Sequence, residues 1–305
     1  LLTACEGTGH TDPPVVPDLD LRIERLDQDL FRSARDTAPN FNLRLYATYG
    51  PFYKDYVERI LNAAPINDPR LPVALTSFVM NPDWNAMQQR ADSVLGDMEP
   101  QRAEFESAFE RLTGFFPDSL VPRIIVFNSG FNYGIVPTDS VLGIGVEWFV
   151  AKGSRVADML ATDIIPQYMK DRMLPEMLVP SAVKGWLQVH YTRDVRGEDV
   201  LTTLVAIGKV MYLLDALLPE TNPAFKFAFT DEQMKWCEAS EFNVWKELVA
   251  KEQLYSKSPE DVDRLLGGVG RVGHGEPGGV SLRPHVRRLL VAVAVVAALL
   301  VLGTV

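Results

Sequence analysis

The sequence predicts a mainly helical α+β fold with a small antiparallel sheet, in a single domain over about residues 18–263. Apolar residues three and four positions apart in 204–218 mark one face of a helix. Thr230 and Gln233 have the spacing of a capping box, in which each side chain bonds a backbone N–H at the start of a second helix. The β-branched run 123–127 is followed by the turn signal Asn-Ser-Gly and predicts a strand.

The N-terminal half of this domain is predicted to open with one strand and continue with helices. Residues 18–24 alternate charged and apolar side chains, as a half-buried strand does. Residues 41–61 are rich in aromatic side chains and read as helical, with Pro51 at a helix start or break. The other helices are predicted at 27–33, 81–95 and 100–112.

The middle of the chain is predicted to hold the rest of the sheet. We expect 131–136 to form a hairpin with 123–127, and 141–150 to form a third strand. Residues 152–161 read as a polar connection. Helices follow at 166–172 and 180–191, and the helix at 204–218, apolar on both faces, is expected to be buried nearly all round.

Charge and composition exclude several classes of function. The chain has 305 residues, is 47% hydrophobic and carries a net charge of −10, so nucleic acid is not an expected partner. The chain has four histidines, which leaves few ligands from which to build a metal site. Gly143-Ile144-Gly145 lacks the third glycine of a dinucleotide-binding loop. The sequence therefore predicts no cofactor.

The first residues indicate a lipid anchor. Leu2-Thr3-Ala4-Cys5 has the form of a bacterial lipobox, in which small residues precede a cysteine that receives lipid. Residues 6–17 follow as a polar, proline-containing linker. A chance match of four residues beside an unstructured tail is the alternative. The interpretation predicts membrane lipid, bound through Cys5, as the first partner of the protein.

The C-terminal segment 264–305 allows two interpretations. A glycine-rich stretch is followed by Arg287-Arg288 and by Leu289–Val305, in which 15 of 17 residues are Ala, Val or Leu. This length is at the lower limit for crossing a bilayer, so the run is either a membrane helix with a basic flank or the product of an out-of-frame reading of GC-rich DNA. A second membrane attachment would be redundant beside the lipid, which favours the frameshift.

Several segments together resemble the GldB family of gliding-motility lipoproteins from the Bacteroidetes. They cover most of residues 5–263 in family order. The matching segments are LTAC at 2–5, IERLDQDLF at 23–31, YGPFYKDY at 49–56, VLGIGVEWFV at 141–150, IPQYMKDRMLPEMLVP at 165–180, GKVMYLLDALLP at 208–219 and TDEQMKWCEASEFNVWKELVAKEQLY at 230–255.

The resemblance implies a cellular role more than a reaction. It implies a lipoprotein of the cell envelope that supports gliding motility or the associated type IX secretion machinery. It also implies anchorage to a membrane, expected to be the outer membrane, with the folded domain in the periplasm. Because the sequence also has no catalytic constellation, we expect the protein to be non-catalytic and to work through contacts with other proteins.

The same family is distantly similar to zinc-dependent peptidase-like proteins, which supplies the alternative function. Their H-E-x-x-H helix places two zinc-binding His on one face and a general-base Glu beside the first. His190 is a weak candidate for the second His, but the first His position is Trp186 and the Glu position is Leu187. The alternative is therefore a hydrolase with a degenerate or relocated metal site.

Three carboxylates remain as candidates for buried structural charges. Asp215 lies in an otherwise apolar helix, and Glu147 lies in an apolar run predicted to be a strand. Glu241 lies one turn after Glu238, a pair that a solvated helix face explains. Because a buried carboxylate needs a partner or a proton, we expect Asp215 to bind Lys209, Arg172 or a backbone N–H.

Overall fold

The structure is a computed structural model, and it describes residues 19–35, 40–192 and 199–258. The chain forms two compact units. The first, called the sheet unit, comprises residues 20–106 and 120–186. The second, called the helical unit, has residue 19 and residues 107–119, 187–192 and 199–258 as its described part. The predicted α+β class is confirmed, since helices predominate around one small sheet.

The sheet is mixed and mostly parallel. Its strands are β1 (Ile23–Arg25), β2 (Arg123–Phe127), β3 (Ile135–Pro137) and β4 (Val141–Gly145), in the spatial order β1-β2-β4-β3. β2 pairs in parallel with both β1 and β4, whereas β3 pairs antiparallel with β4. The predicted antiparallel sheet is therefore wrong for three of the four strands. The predicted hairpin is wrong as well, because β3 lies beside β4 and away from β2.

The central strands are buried along their length, which explains their apolar sequence. Four of the five residues of β2 and all five of β4 are buried. Parallel strands covered on both faces read as continuous apolar runs without alternation. The predicted strand 141–150 ends at Gly145, and Val146–Phe149 forms a 3₁₀ turn that contains Glu147.

Helices connect and cover the strands of the sheet unit. The helix Pro82–Leu95 begins after Asn81, whose side chain accepts from the N–H groups of Asp83 and Trp84, and it ends before Gly96, where φ is positive. Pro51 begins a helix, and Tyr56–Ile60 continues it as a π-helical turn. The helices are α1 (Leu26–Arg35), α2 (Phe41–Tyr49), α3 (Pro51–Asp55), α4 (Leu71–Met80), α5 (Pro82–Leu95), α6 (Glu99–Phe115), α7 (Arg155–Met159), α8 (Gln167–Lys170) and α9 (Leu178–His190).

The core of the sheet unit lies between the sheet and the four helices α1, α2, α3 and α4. Apolar side chains from these helices pack against Ile125 and Phe127 of β2 and Val141 of β4. The other buried members are Leu26, Leu30, Phe31, Ala34, Phe41, Leu45, Tyr49, Phe52, Tyr53, Tyr56, Val57, Ile60, Leu71, Leu75 and Val79. This cluster fixes α1 beside the sheet, which positions the polar residues described below.

The helical unit is built on α10 (Val200–Leu217), α11 (Pro223–Phe227) and α12 (Asp231–Ala250). The predicted capping box is present: the Thr230 side chain accepts from the N–H of Gln233, and the Gln233 side chain accepts from the N–H of Thr230. The start of α10 is bonded to the chain after α12, through Leu201 N–H and the carbonyl oxygen of Leu254. Buried members of its core are Val200, Leu204, Cys237, Val244, Leu248 and Leu254.

The helix α10 is buried on one side only, which corrects the prediction of burial all round. Val205 is 40% exposed, and Lys209 and Asp215 are exposed as well. Among the described helices, α10 is the one long and apolar enough to cross a membrane by length and composition, and 39% of it is buried inside the protein.

Candidate functional site

Polar side chains follow each of the three parallel strands at the same edge of the sheet. Arg25 pairs with Val126, so Asp27 and Asn128, two residues further along, come to the same level after β1 and β2. Phe127 pairs with Gly145, so Ser129 and Glu147 lie together after β2 and β4. The carboxyl edge of parallel strands is where α/β sheets bind ligands, which makes this network the candidate site.

Asp27 is the first centre of the network. Its side chain is completely buried and accepts two bonds from the Arg25 guanidinium, from Nε at 2.9 Å and from Nη2 at 2.7 Å. Gln88 on α5 donates a third bond to it at 2.7 Å. Burial acts to lower the pKa of Arg25, but its hydrogen bond and charge contact with Asp27 raise it above the usual value. The charge buried on Asp27 is thus fully paired.

Gln88 extends the network across the edge of the sheet. Its Nε2 also lies 3.2 Å from Asp92 Oδ1, and its Oε1 accepts a long bond of 3.4 Å from Asn128 Nδ2. The carbonyl oxygen of Asn128 accepts from the Tyr56 hydroxyl at 2.8 Å. One chain of hydrogen bonds therefore links α1, α5, β2 and the π-helical turn.

Glu147 is the second centre, and it is completely buried. Its Oε1 accepts from Ser129 N–H at 2.8 Å, from Ser129 Oγ at 2.5 Å and from Phe131 N–H at 3.0 Å. Burial raises the pKa of Glu147 above its usual value, against the lowering effect of these hydrogen bonds. Burial and the charge of Glu147 together raise the pKa of Tyr56 well above its usual value.

The loop after β2 is wrapped around this carboxyl group. Gly130 and Phe131 have φ values of 65° and 68°, in the left-handed region. This turn brings the N–H groups of Ser129 and Phe131 to Glu147 Oε1, while the N–H of Gly130 between them donates to Asn128 Oδ1.

Ser129 and Glu147 have the residue types of a nucleophile and a base, but their surroundings favour a structural role. Ser129 is 1% exposed and Glu147 is not exposed at all. Ser129 Oγ also accepts from Tyr133 N–H at 3.0 Å, which fixes it within the loop. A substrate would have to displace the loop to reach either group.

A cleft of about 370 Å³ opens beside the network, between α1 and α5. Gln88 and Asp92 belong to both the network and the cleft. The remaining lining residues are Gln28, Phe31, Arg32, Arg35 and Gln89. This cleft is the accessible part of the candidate site.

The structure corrects two of the three predicted buried charges. The Asp215 side chain is 59% exposed, and its partner is the ammonium of Lys226, 2.6 Å away, which the prediction did not include. Lys226 is the buried member of that pair, at 2% exposure. Glu241 is half-buried and Glu238 exposed, so neither is a buried charge.

The predicted zinc position has no cluster of ligands around it in the described part of the chain. His190 is the last residue of α9, and Trp186 and Leu187 on the same helix are buried. Residues 19–35, 40–192 and 199–258 contain no group of three His, Cys, Asp or Glu side chains that could hold a metal ion. Cys5 and the segment 264–305 lie outside the described residues.

Sequence reasoning missed Asp27, Gln88, Asn128 and Ser129. From the sequence alone, Asn128 and Ser129 indicate a turn after β2, and Asp27 is an ordinary residue of a short helix. Polar residues directly after parallel strands are the signal that could have found Asp27, Asn128 and Ser129, and it requires knowing that the strands are parallel. Gln88 lies within α5 and has no such signal.

One comparison with known proteins gives a match. A family model described as "Gliding motility protein GldB", with the short name GldB_lipo, matches residues 10–268, most of the chain. No curated protein and no solved structure matches the chain significantly.

Proposed function

Because the chain belongs to the family of the gliding motility protein GldB, we propose that it is a non-catalytic, lipid-anchored protein of the cell envelope that supports gliding motility through contacts with other proteins. The observation that carries the proposal is the extent of the family match, over residues 10–268. In this proposal the protein also supports the type IX secretion machinery, which the family resemblance links to gliding.

The anchor in this proposal is Cys5. The short name of the family model suggests a lipoprotein, and Leu2-Thr3-Ala4-Cys5 supplies the lipidation sequence. Several acyl chains on one cysteine hold a protein on a membrane durably, because each buried methylene contributes about 0.8 kcal/mol. The folded part would then stand in the periplasm, on the outer membrane.

The absence of catalysis in this proposal is supported by what the polar groups already do. Asp27 accepts three bonds from Arg25 and Gln88, and Glu147 Oε1 accepts three from the loop after β2. These bonds organise the edge of the sheet, and neither carboxyl group contacts solvent, although Glu147 Oε2 has no hydrogen-bond partner among the described residues. Their geometry fits a rigid scaffold.

A surface for protein contacts is present on the sheet unit. A groove of about 610 Å³ lies between α2 and α4, and none of its lining residues within the described part of the chain is charged. Leu43, Val73 and Met80 on its walls are 64%, 72% and 61% exposed. Interface centres are depleted in charge and rich in apolar side chains, so this groove supports binding of a partner protein from the gliding apparatus.

The contact proposal is tested by cross-linking in intact cells, followed by purification of the full-length protein with Cys5 present. A partner from the envelope should be recovered with the wild type and lost with Val73→Asp, which places a charge in the groove. Val94→Asp, at an exposed position of α5, is the matched control and should retain the partner. Equal recovery with all three proteins would remove the groove from the proposal.

Metal analysis tests the non-catalytic part. The purified protein is expected to hold no stoichiometric zinc. Zinc at one equivalent, lost on changing His190→Ala, would overturn the proposal in favour of a hydrolase with relocated ligands.

A further inference from the structure

The cleft between α1 and α5 has a wall of unpaired positive charge. Arg32 and Arg35 lie on the same face of α1 as Gln28 and Phe31, at helical spacings of three, four and seven. Both arginines are exposed, and neither guanidinium has an ion-pair or hydrogen-bond partner within 19–35, 40–192 and 199–258. By contrast, Arg25 on the strand before them is bound to Asp27 and Asp92.

The opposite wall, on α5, offers hydrogen-bond acceptors. Asp92 Oδ1 accepts from Arg25, Gln28 and Gln88, and Oδ2 accepts no bond from any residue that the structure describes, which leaves it for a ligand. Gln89 Nε2 donates to Asn85 Oδ1 at 2.8 Å, so its Oε1 also remains for a donor. Carboxylate and amide oxygens of this kind accept bonds from hydroxyl groups.

The floor of the cleft is rigid. Phe31 is 3% exposed and belongs to the core of the sheet unit. Gln88 is 2% exposed and is held by Asp27, Asp92 and Asn128. Side chains held by such contacts lose little freedom when a ligand binds, so the floor is preorganised.

We propose that this cleft binds a small anionic carbohydrate. Arg32 and Arg35 hold the carboxylate of the sugar acid, since a guanidinium matches a carboxylate through two parallel bonds. Gln28, Gln89 and Asp92 accept bonds from its hydroxyl groups. The volume of about 370 Å³ is at the lower end of small-molecule sites and fits one sugar unit.

The test uses glucuronate as the probe, titrated into the full-length protein and followed by NMR chemical shifts. We expect saturable binding at one site and no saturable binding of glucose, which lacks the carboxylate. The double variant Arg32→Ala, Arg35→Ala should weaken glucuronate binding by about tenfold or more, because charge-assisted bonds are lost. Arg44→Ala is the matched control, since Arg44 is an exposed arginine on α2 outside the cleft.

Inorganic phosphate is the second arm of the test. If phosphate binds as tightly as glucuronate with the same dependence on the two arginines, the cleft recognises the oxyanion alone and the carbohydrate proposal is overturned. Absence of saturable glucuronate binding, or equal binding by the double variant and the wild type, also overturns it. Gln89→Ala should weaken glucuronate and leave phosphate unchanged.

Discussion

Glu147 shows how one buried acid determines the course of a loop. Its Oε1 is the common acceptor for Ser129 N–H, Ser129 Oγ and Phe131 N–H, and the loop takes two left-handed residues to reach it. We expect Glu147→Ala to lower the free energy of unfolding by about 2–4 kcal/mol, because buried donors lose their acceptor. Chemical denaturation measures it, with the exposed Glu238→Ala as a control that should change by about 0.5 kcal/mol or less.

The raised pKa of Glu147 predicts a specific dependence of stability on pH. Burial favours the protonated acid in the folded state, so the contribution of Glu147 is complete below its unfolded pKa of 4.5 and is lost as pH rises above it. Gln cannot titrate. The stability of the wild type relative to Glu147→Gln should therefore fall above pH 4.5, by up to about 1.4 kcal/mol per pH unit. Parallel stability curves for the two proteins would contradict this.

The Lys226–Asp215 pair predicts opposite effects at its two ends. Asp215→Ala leaves a buried ammonium without its partner and should cost about 1–3 kcal/mol. Lys226→Met keeps the length of the side chain and removes the charge, so it should be neutral or stabilising. Thermal unfolding of the two variants and the wild type measures both changes in stability. Equal destabilisation by the two changes would show that the pair itself contributes the stability.

At the scale of elements, β4 depends on a glycine where β3 turns back against it. A Cβ at Gly145 would lie 2.1 Å from the carbonyl oxygen of Tyr133, and the N–H of Gly145 bonds the carbonyl oxygen of Gly134. Gly145→Ala must therefore displace backbone and should cost about 2–4 kcal/mol in chemical denaturation. Gly134→Ala meets only the Trp148 side chain, at 3.3 Å, and should cost about 1 kcal/mol or less. Similar losses for both would show that the loop moves freely.

The helices were easier to predict than the strands, for a physical reason. The predictions at 204–218 and 230–233 rest on helical spacing and a capping box, which are local, and α10 and α12 lie at these positions. The direction of a strand depends on distant partners. The runs 123–127 and 141–145 are apolar on both faces, and such a run fits either direction once helices cover it.

The candidate site was predictable only in part for the same reason. Glu147 could be singled out because a charge is unusual in an apolar run, although it lies in a 3₁₀ turn and not in a strand. Asp27 and Gln88 lie 61 residues apart on helices of ordinary polar pattern, and the packing of α1 beside α5 brings them together. The prediction that Asp215 is buried was wrong because one polar residue in an apolar helix can also face solvent.

At the scale of the whole molecule, two interpretations of the segment 264–305 stay predictions: a membrane helix and the product of an out-of-frame reading. The match to the family ends at residue 268, before the apolar run. Resequencing the gene around codons 255–270 separates the two interpretations. One inserted or missing base, whose correction restores an amphipathic ending, is the expected result; an open frame that encodes the apolar run would establish a membrane helix instead.

Gliding of cells that carry Cys5→Ser in the complete gene tests the central claim most directly. The gene is deleted in its own host, and colony spreading is measured after return of the wild type or of the variant at equal protein level. The account predicts that deletion abolishes spreading, that the wild type restores it and that Cys5→Ser does not, because the folded part is no longer held at the membrane. Normal spreading of the deletion strain, or full rescue by Cys5→Ser, would contradict the account.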